Sequence, residues 1–337
     1  MLMIPEPVFS PQTHDWKTVL SESFRSTQDL LKYCELDGNR PESGSEAGFP
    51  VRVTKYYASL IEKGNPQDPL LLQVIPDQRE HQRIEGYSLD AVGDLKAMPV
   101  PGLIHKYHNR VLLTLTAACP IHCRYCFRRH FPYSEAKLDI SPQSPVINYL
   151  TEHTEVKEVI LSGGDPLMLS DQKIADLIIQ LNKIPNIDYL RFHTRLLSVL
   201  PERITESFIR VLEQFNGKIV FITHINHPNE ITLYNQTAFN LLSQYGFQLL
   251  NQSVLLKGVN NNAATLVDLS YKLFDNNIIP YYLHSLDKVH GAANFDLTVD
   301  QQCKVYAELR NSLPGYLVPK LVNEFSGQMS KTQVQCS

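Results

Sequence analysis

The chain has 337 residues, 43% hydrophobic and 20% charged, with a formal net charge of −4 at pH 7. This is the composition of a globular protein rather than a disordered one, and the slight negative charge gives no general pull toward nucleic acid or an anionic membrane. No apolar run approaches the ~20 residues of a membrane helix, and the opening residues hold Pro5, Pro7 and Pro11 without the basic-then-apolar order of a secretory signal. Six cysteines, three of them clustered, do not read as a disulfide framework, so a reducing cytoplasm is expected.

In chain order, residues 1–98 show no regular strand–helix alternation. Trp16 to Leu36 reads as one or two helices, with apolar positions at Val19, Leu20, Phe24, Leu30, Leu31 and Tyr33. Residues 41–48 (PESGSEAG) read as a loop. Val53 to Ile61 is a further helical piece, ended by Gly64, Asn65 and Pro66 and followed by an apolar Leu70 to Ile75. The region is expected to be a helical cap with little chemistry of its own, and Pro99-Val-Pro-Gly102 marks its boundary.

From Arg110 the pattern becomes strand then helix, repeated. Strands are expected at Val111–Thr116, Glu158–Ser162, Tyr189–Thr194, Lys218–Thr223, Phe247–Leu256 and Ile278–His284. Helices are expected at Val146–His153, Asp171–Lys183, Pro201–Gln214, Glu230–Tyr245, Ala263–Asp275 and Thr298–Leu313. Such alternation predicts an α/β fold with a parallel sheet and right-handed crossovers. Six units fall short of a closed eight-stranded barrel, so residues 99–313 are expected to form an open partial (β/α)6 barrel, with a short C-terminal segment at 314–337.

Barrels of this kind carry their chemistry at the C-terminal ends of the strands. Directly after the first strand comes Cys119-Pro-Ile-His-Cys123-Arg-Tyr-Cys126. Three thiolates from one short loop can hold three irons of a 4Fe–4S cube, leaving the fourth iron for a small molecule. Zinc is the alternative, with His122, His130 or Cys34 as its fourth ligand, and spacing alone leaves both open. The later strands end on Ser162-Gly163-Gly164-Asp165, His193-Thr-Arg195, His224-Ile-Asn-His227 and His284-Ser-Leu-Asp287, all expected on one rim.

Gly163 and Gly164 read either as a tight turn or as a place where freed backbone N–H groups meet a ligand. The stretch Lys106-Tyr107-His108-Asn109-Arg110 reads either as surface polar residues or, through Lys106 and Arg110, as a site for a phosphate monoester, and Arg128 and Arg129 either as solvated or as candidates for a carboxylate. The local Arg124, Arg128, Arg129, His130 group is expected to serve bound anions. His224 and His227 read as hydrogen-bonding groups rather than metal ligands. Cys34, Cys303 and Cys336 share no spacing and read as incidental. Residues 315–322 read as one more extended segment; Lys331, in the Gly/Ser-containing tail beyond it, is either solvated or a Schiff-base lysine.

Together the cysteine triad, LSGGDP, HTR, HINHPNE, LLNQSVLL, PYYLHSLD and SGQMSKT resemble the lysine 2,3-aminomutase family of radical S-adenosylmethionine (SAM) enzymes, from about residue 99 to 332. The form of these motifs is nearest to the shorter members that serve β-lysylation of elongation factor P. The resemblance implies the radical SAM partial barrel and conversion of (S)-α-lysine to (R)-β-lysine, an isomerase reaction. Cys119, Cys123 and Cys126 would ligate a 4Fe–4S cluster, and Gly163, Gly164, Asp165, His224 and Gln252 would line SAM. Lys331 would bind pyridoxal 5′-phosphate (PLP) as a Schiff base, with Lys106, Tyr107 and Arg110 on its phosphate. Arg128 would meet the substrate carboxylate, and Asp287 and Glu324 its ε-ammonium. The implied partners are lysine as small-molecule substrate, elongation factor P with its lysyl ligase, and an electron donor such as flavodoxin. Glu324 and His284 stand where larger members have aspartate and tyrosine, and the short tail leads us to expect a monomer or small dimer.

Overall fold

The computed structural model describes residues 15–36 and 49–336; the loop expected at 41–48 lies outside them. Nine strands form one sheet in sequence order: β1 (Leu103–Tyr107), β2 (Arg110–Thr116), β3 (Glu158–Gly163), β4 (Tyr189–Thr194), β5 (Lys218–Thr223), β6 (Gln248–Val254), β7 (Ile278–His284), β8 (Lys320–Asn323) and β9 (Thr332–Gln333). Strands β2 to β8 run parallel, while β1 pairs antiparallel with β2 and β9 with β8. Sequential parallel neighbours joined by helices wind in one direction, which gives the partial TIM-like barrel rather than a doubly wound sheet.

All six expected strands are present, with ends within two residues of expectation. The extended segment near 315–322 becomes the seventh parallel strand, β8, so the tail is woven into the sheet. Helices Pro145–Glu152, Asp171–Leu181, Leu233–Gln244, Ala263–Asp275 and Val299–Ser312 fall where expected. Their starts are fixed by side-chain caps: Ser170 Oγ accepts from the Lys173 N–H and Asn262 Oδ1 from that of Thr265. The helix expected over 201–214 is instead a 3₁₀ turn, Pro201–Arg203, and a separate helix, Glu206–Leu212. Thr205 lies between them and caps the second piece by accepting from the Phe208 N–H.

Trp16 to Leu36 resolves into two helices, Trp16–Ser21 and Thr27–Tyr33. Lys55–Ser59 and Pro69–Leu72 follow as short helices. These pieces do not sit apart from the barrel. Leu30, Tyr56, Tyr57 and Leu70 share one core with Leu113, Leu161, Phe192 and Phe221 of the strands. Phe192 and Phe221 are register partners on β4 and β5 and stack at 4.9 Å, anchoring that core.

Cys303 and Cys336, expected to be incidental, form a disulfide between the helix Val299–Ser312 and the last residues of the tail, with Cα atoms 5.2 Å apart. The return of the chain through β9 brings residue 336 back to that helix, a placement that a sequence separation of 33 conceals.

Candidate active site

A cavity of about 360 Å³ opens at the C-terminal ends of the parallel strands. Its wall contains Cys119, Cys123 and Cys126, Lys106, Tyr107 and Arg110, Gly163, Gly164 and Asp165, Arg128, His224, Gln252, Asp287, Glu324 and Lys331. The residues that the resemblance assigns to the cluster, SAM, PLP and substrate therefore meet in one place, whereas Arg124, Arg129, His130 and His227 do not line it.

The cysteine loop is fastened by backbone contacts. The Gly164 N–H donates to Thr116 O at 2.6 Å and the Asp165 N–H to Ala118 O at 2.8 Å. A Cβ on Gly163 would stand 2.7 Å from Thr116 O, and one on Gly164 2.4 Å from Ala118 O. The glycines thus let the end of β3 touch the loop that follows β2. The Gly164 N–H, one of those that could have met a ligand, is taken by that contact, as is the Asp165 N–H. From the N-terminal region, Arg52 Nη1 donates to Cys119 O at 3.0 Å and Gln73 O accepts the Arg124 N–H at 2.8 Å.

The candidates for a fourth zinc ligand are all engaged elsewhere. His122 Nδ1 lies 2.8 Å from Pro50 O, His130 Nε2 lies 3.0 Å from His290 O, and Cys34 is wholly buried in the core. Among the described residues, no three His, Cys, Asp or Glu side chains converge on a single-ion site. Burial pushes the Cys126 thiol up to about 11 and Cys119 well above the usual thiol range, reinforced by the neighbouring sulfurs. Three thiols grouped on one loop that do not converge on one ion fit a multi-iron cluster, in which each sulfur takes its own iron.

Across the cavity, charged groups form a chain. Arg128 Nε donates to Asp94 Oδ2 at 2.7 Å and Lys106 Nζ meets Asp94 Oδ1 at 2.6 Å. Lys106 also reaches Glu324 Oε1 at 2.9 Å, and Lys331 Nζ lies 2.5 Å from Glu324 Oε2. Burial alone would raise the Glu324 carboxyl, but Lys331 and Lys106 hold it far below the carboxylate range. Asp287 stands nearby without such a partner; burial, helped by Glu324, pushes it up to about 7. Arg110 pairs with no carboxylate among the described residues, its guanidinium lying 4.4 Å from the Tyr107 ring centroid and donating to Asn109 Oδ1.

Three imidazoles also belong to this region, His284 buried and His193 and His224 partly buried. Gln252 Nε2 and His224 Nε2 are 3.2 Å apart, and burial, with Arg195 and Lys331 adding to it, pushes His224 down to about 3. His193 and His284 are likewise held neutral by burial, and the Nε2 of each lacks a partner among the described residues. His227 has the hydrogen-bonding role expected of it: its Nδ1 caps the following turn by accepting from the Asn229 N–H.

Comparison with known proteins follows this geometry closely. A family described as "4Fe-4S single cluster domain" matches residues 109–215. The L-lysine 2,3-aminomutase of Haemophilus influenzae is 43% identical over 334 residues, covering 98% of this chain and 99% of the relative. That of Escherichia coli K12 is 43% identical over 326 residues, covering 96% and 95%. The enzyme of Clostridium subterminale is 34% identical over 324 residues, covering 95% of this chain and 78% of its own length. The chain belongs to the lysine 2,3-aminomutase family. It is accordingly a radical SAM isomerase that moves an amino group and uses a 4Fe–4S cluster and SAM; PLP is characteristic of the family.

Within this aminomutase the sequence reading missed part of the site. Residues 15–98 do carry chemistry. Asp94 joins Lys106 to Arg128, and Glu80 pairs with both Arg124 and Arg129. The arginines after the cysteines, expected to serve bound anions, are thus neutralised by internal carboxylates. Arg195, singled out only as a strand end, is buried with Nη1 3.1 Å from Cys123 Sγ. Asp165 holds that segment: its carboxylate accepts from Thr194 Oγ1 and from the N–H groups of Leu167, Arg195 and Leu196. An acid directly after a strand-ending Gly-Gly was the available signal for such a hub. Nothing in local spacing pointed to Asp94 or Glu80.

Proposed function

We propose that the protein converts free (S)-α-lysine to (R)-β-lysine, with PLP carried on Lys331, and that the product is attached to elongation factor P by a lysyl ligase in the cytoplasm. The observation that carries this reading is one cavity lined by the three thiols together with Lys331, Glu324 and Asp287. Cys119, Cys123 and Cys126 would hold three irons, and Gly163, Gly164, Asp165, His224 and Gln252 would enclose SAM. PLP at Lys331 would supply a conjugated π-system for an unpaired electron, while the cluster and SAM would supply the initiating radical.

The chain's own residues then select and orient the amino acid. Arg128 is held rigid by Asp94 and Ser162, the latter accepting from Nη1 at 2.9 Å, so its remaining donors are pre-aimed at a carboxylate. Glu324 and Asp287 offer negative charge to an ε-ammonium, and the same charge repels an acidic substrate such as glutamate. Arg110, uncommitted to any described carboxylate, supports a phosphate role, with Tyr107 beneath it and Lys106 alongside. The relatives' name, L-lysine 2,3-aminomutase, agrees with this substrate. A low-potential donor such as flavodoxin would supply electrons.

The finer claim is tested by mass spectrometry of elongation factor P incubated with its ligase and the amino acid made by the anaerobic enzyme. A β-lysyl adduct is expected; an acceptor that takes only α-lysine from the same mixture would overturn it.

A further inference from the structure

Arg195 follows β4 and points into the base of the cysteine loop, almost wholly removed from solvent. Nη1 lies 3.1 Å from Cys123 Sγ. Nη2 donates to Glu230 Oε2 at 3.0 Å and to Gln73 Oε1 at 2.8 Å. Glu230 is fully buried, and its Oε1 accepts the N–H groups of Asn226 and His227, both at 3.0 Å. The Arg195 N–H is itself fixed on Asp165 Oδ2 at 2.8 Å. The guanidinium is therefore held by the segment after β5 and by the N-terminal region, while the backbone of Arg195 is fixed by the segment after β3.

Burying an ion pair of this kind is costly, and apolar side chains of similar volume commonly replace such pairs without loss of stability. The contact with a cluster-ligand sulfur gives the charge a use that packing does not. A donor on a ligating sulfur withdraws electron density from the iron, and hydrogen bonds to the sulfurs are among the determinants of cluster potential. A fixed positive charge also favours the more negative, reduced state.

We infer that Arg195 is a positioning residue that raises the reduction potential of the cluster through Cys123 Sγ, and that Glu230 sets how strongly it does so. The step concerned is the addition of one electron from an external low-potential reductant, with no bond made or broken. This inference rests on Cys123 being a cluster ligand.

The test is a redox titration of the anaerobically reconstituted holoenzyme without SAM, following the reduced-cluster EPR signal, with iron and sulfide measured in the same samples. Arg195→Gln is expected to lower the equilibrium constant for reduction at least tenfold, a shift of about 59 mV for one electron. Arg195→Lys, which keeps the charge and loses the fork, is expected to fall between it and the parent enzyme. Glu230→Gln is expected to move the potential the opposite way, because the guanidinium is then less compensated. An unchanged potential in Arg195→Gln with full iron content would overturn the inference. Should Arg195→Gln fail to fold or hold iron, Arg195→Lys and Glu230→Gln decide: unchanged potentials, or shifts of the same sign, overturn it as well. A parent enzyme without iron would instead refute the cysteine assignment.

Discussion

Glu324 and Asp287 are two carboxylates of one cavity with opposite titration behaviour. Glu324 stays ionised because Lys331 and Lys106 touch it, whereas Asp287 is pushed up to about 7. An incoming ammonium favours the ionised form of Asp287, so substrate binding releases a proton near neutrality. The KM for lysine is therefore expected to fall as pH rises from about 6 to 8. Asp287→Asn is expected to flatten that dependence and raise KM by roughly tenfold, the cost of one charge-assisted contact. Stability carries the same signature. The native state binds the extra proton between 3.8 and about 7, so stability falls as pH rises through that window and is level above it. Thermal melts of Asp287→Asn across pH should lack this slope. Lys331→Ala is expected to lose the PLP absorbance band and β-lysine formation while retaining iron, since the Lys331 ammonium is paired with Glu324 rather than with a cysteine.

At the scale of elements, the rim depends on contacts between loops that have no side chain between them. Gly164→Ala would place a Cβ 2.4 Å from Ala118 O, so the cysteine loop must move. Reconstitution of this variant is expected to give less than half of the parent's iron, read by iron and sulfide analysis. Glu80→Gln leaves the buried Arg124 and Arg129 short of their shared carboxylate. Removing one partner of a buried pair costs about 3–5 kcal/mol, so a clear drop in melting temperature is expected. The parallel strands β2 to β7 were legible because each is a β-rich run of six or seven residues. The polar residues at their ends were legible because the barrel rule sends them to one rim. Strands β1, β8 and β9 were less so: β1 holds His105 and Lys106, and β8 and β9 have only four and two residues. Asp94 and Glu80 were illegible for a related reason. Their roles exist only once the N-terminal region docks on the arginines of the cysteine loop.

For the whole molecule, the tail closes the cavity. β8 pairs with β7, β9 with β8, and Cys336 with Cys303, and Lys331 hangs between these fastenings. Deleting residues 332–337 is expected to lower bound PLP at least tenfold with iron content unchanged, measured as PLP and iron per chain. No helix among the described residues is long and apolar enough to cross a membrane. The central claim is that the thiol loop and Lys331 serve one reaction in one cavity. It is tested most directly by supplying the anaerobically reconstituted enzyme with isotopically labelled lysine, SAM, PLP and a reductant, then resolving the amino acids. Labelled β-lysine, lost in both Cys123→Ser and Lys331→Ala, is the predicted result. Labelled lysine returned unchanged by enzyme that carries iron and PLP and cleaves SAM would contradict it.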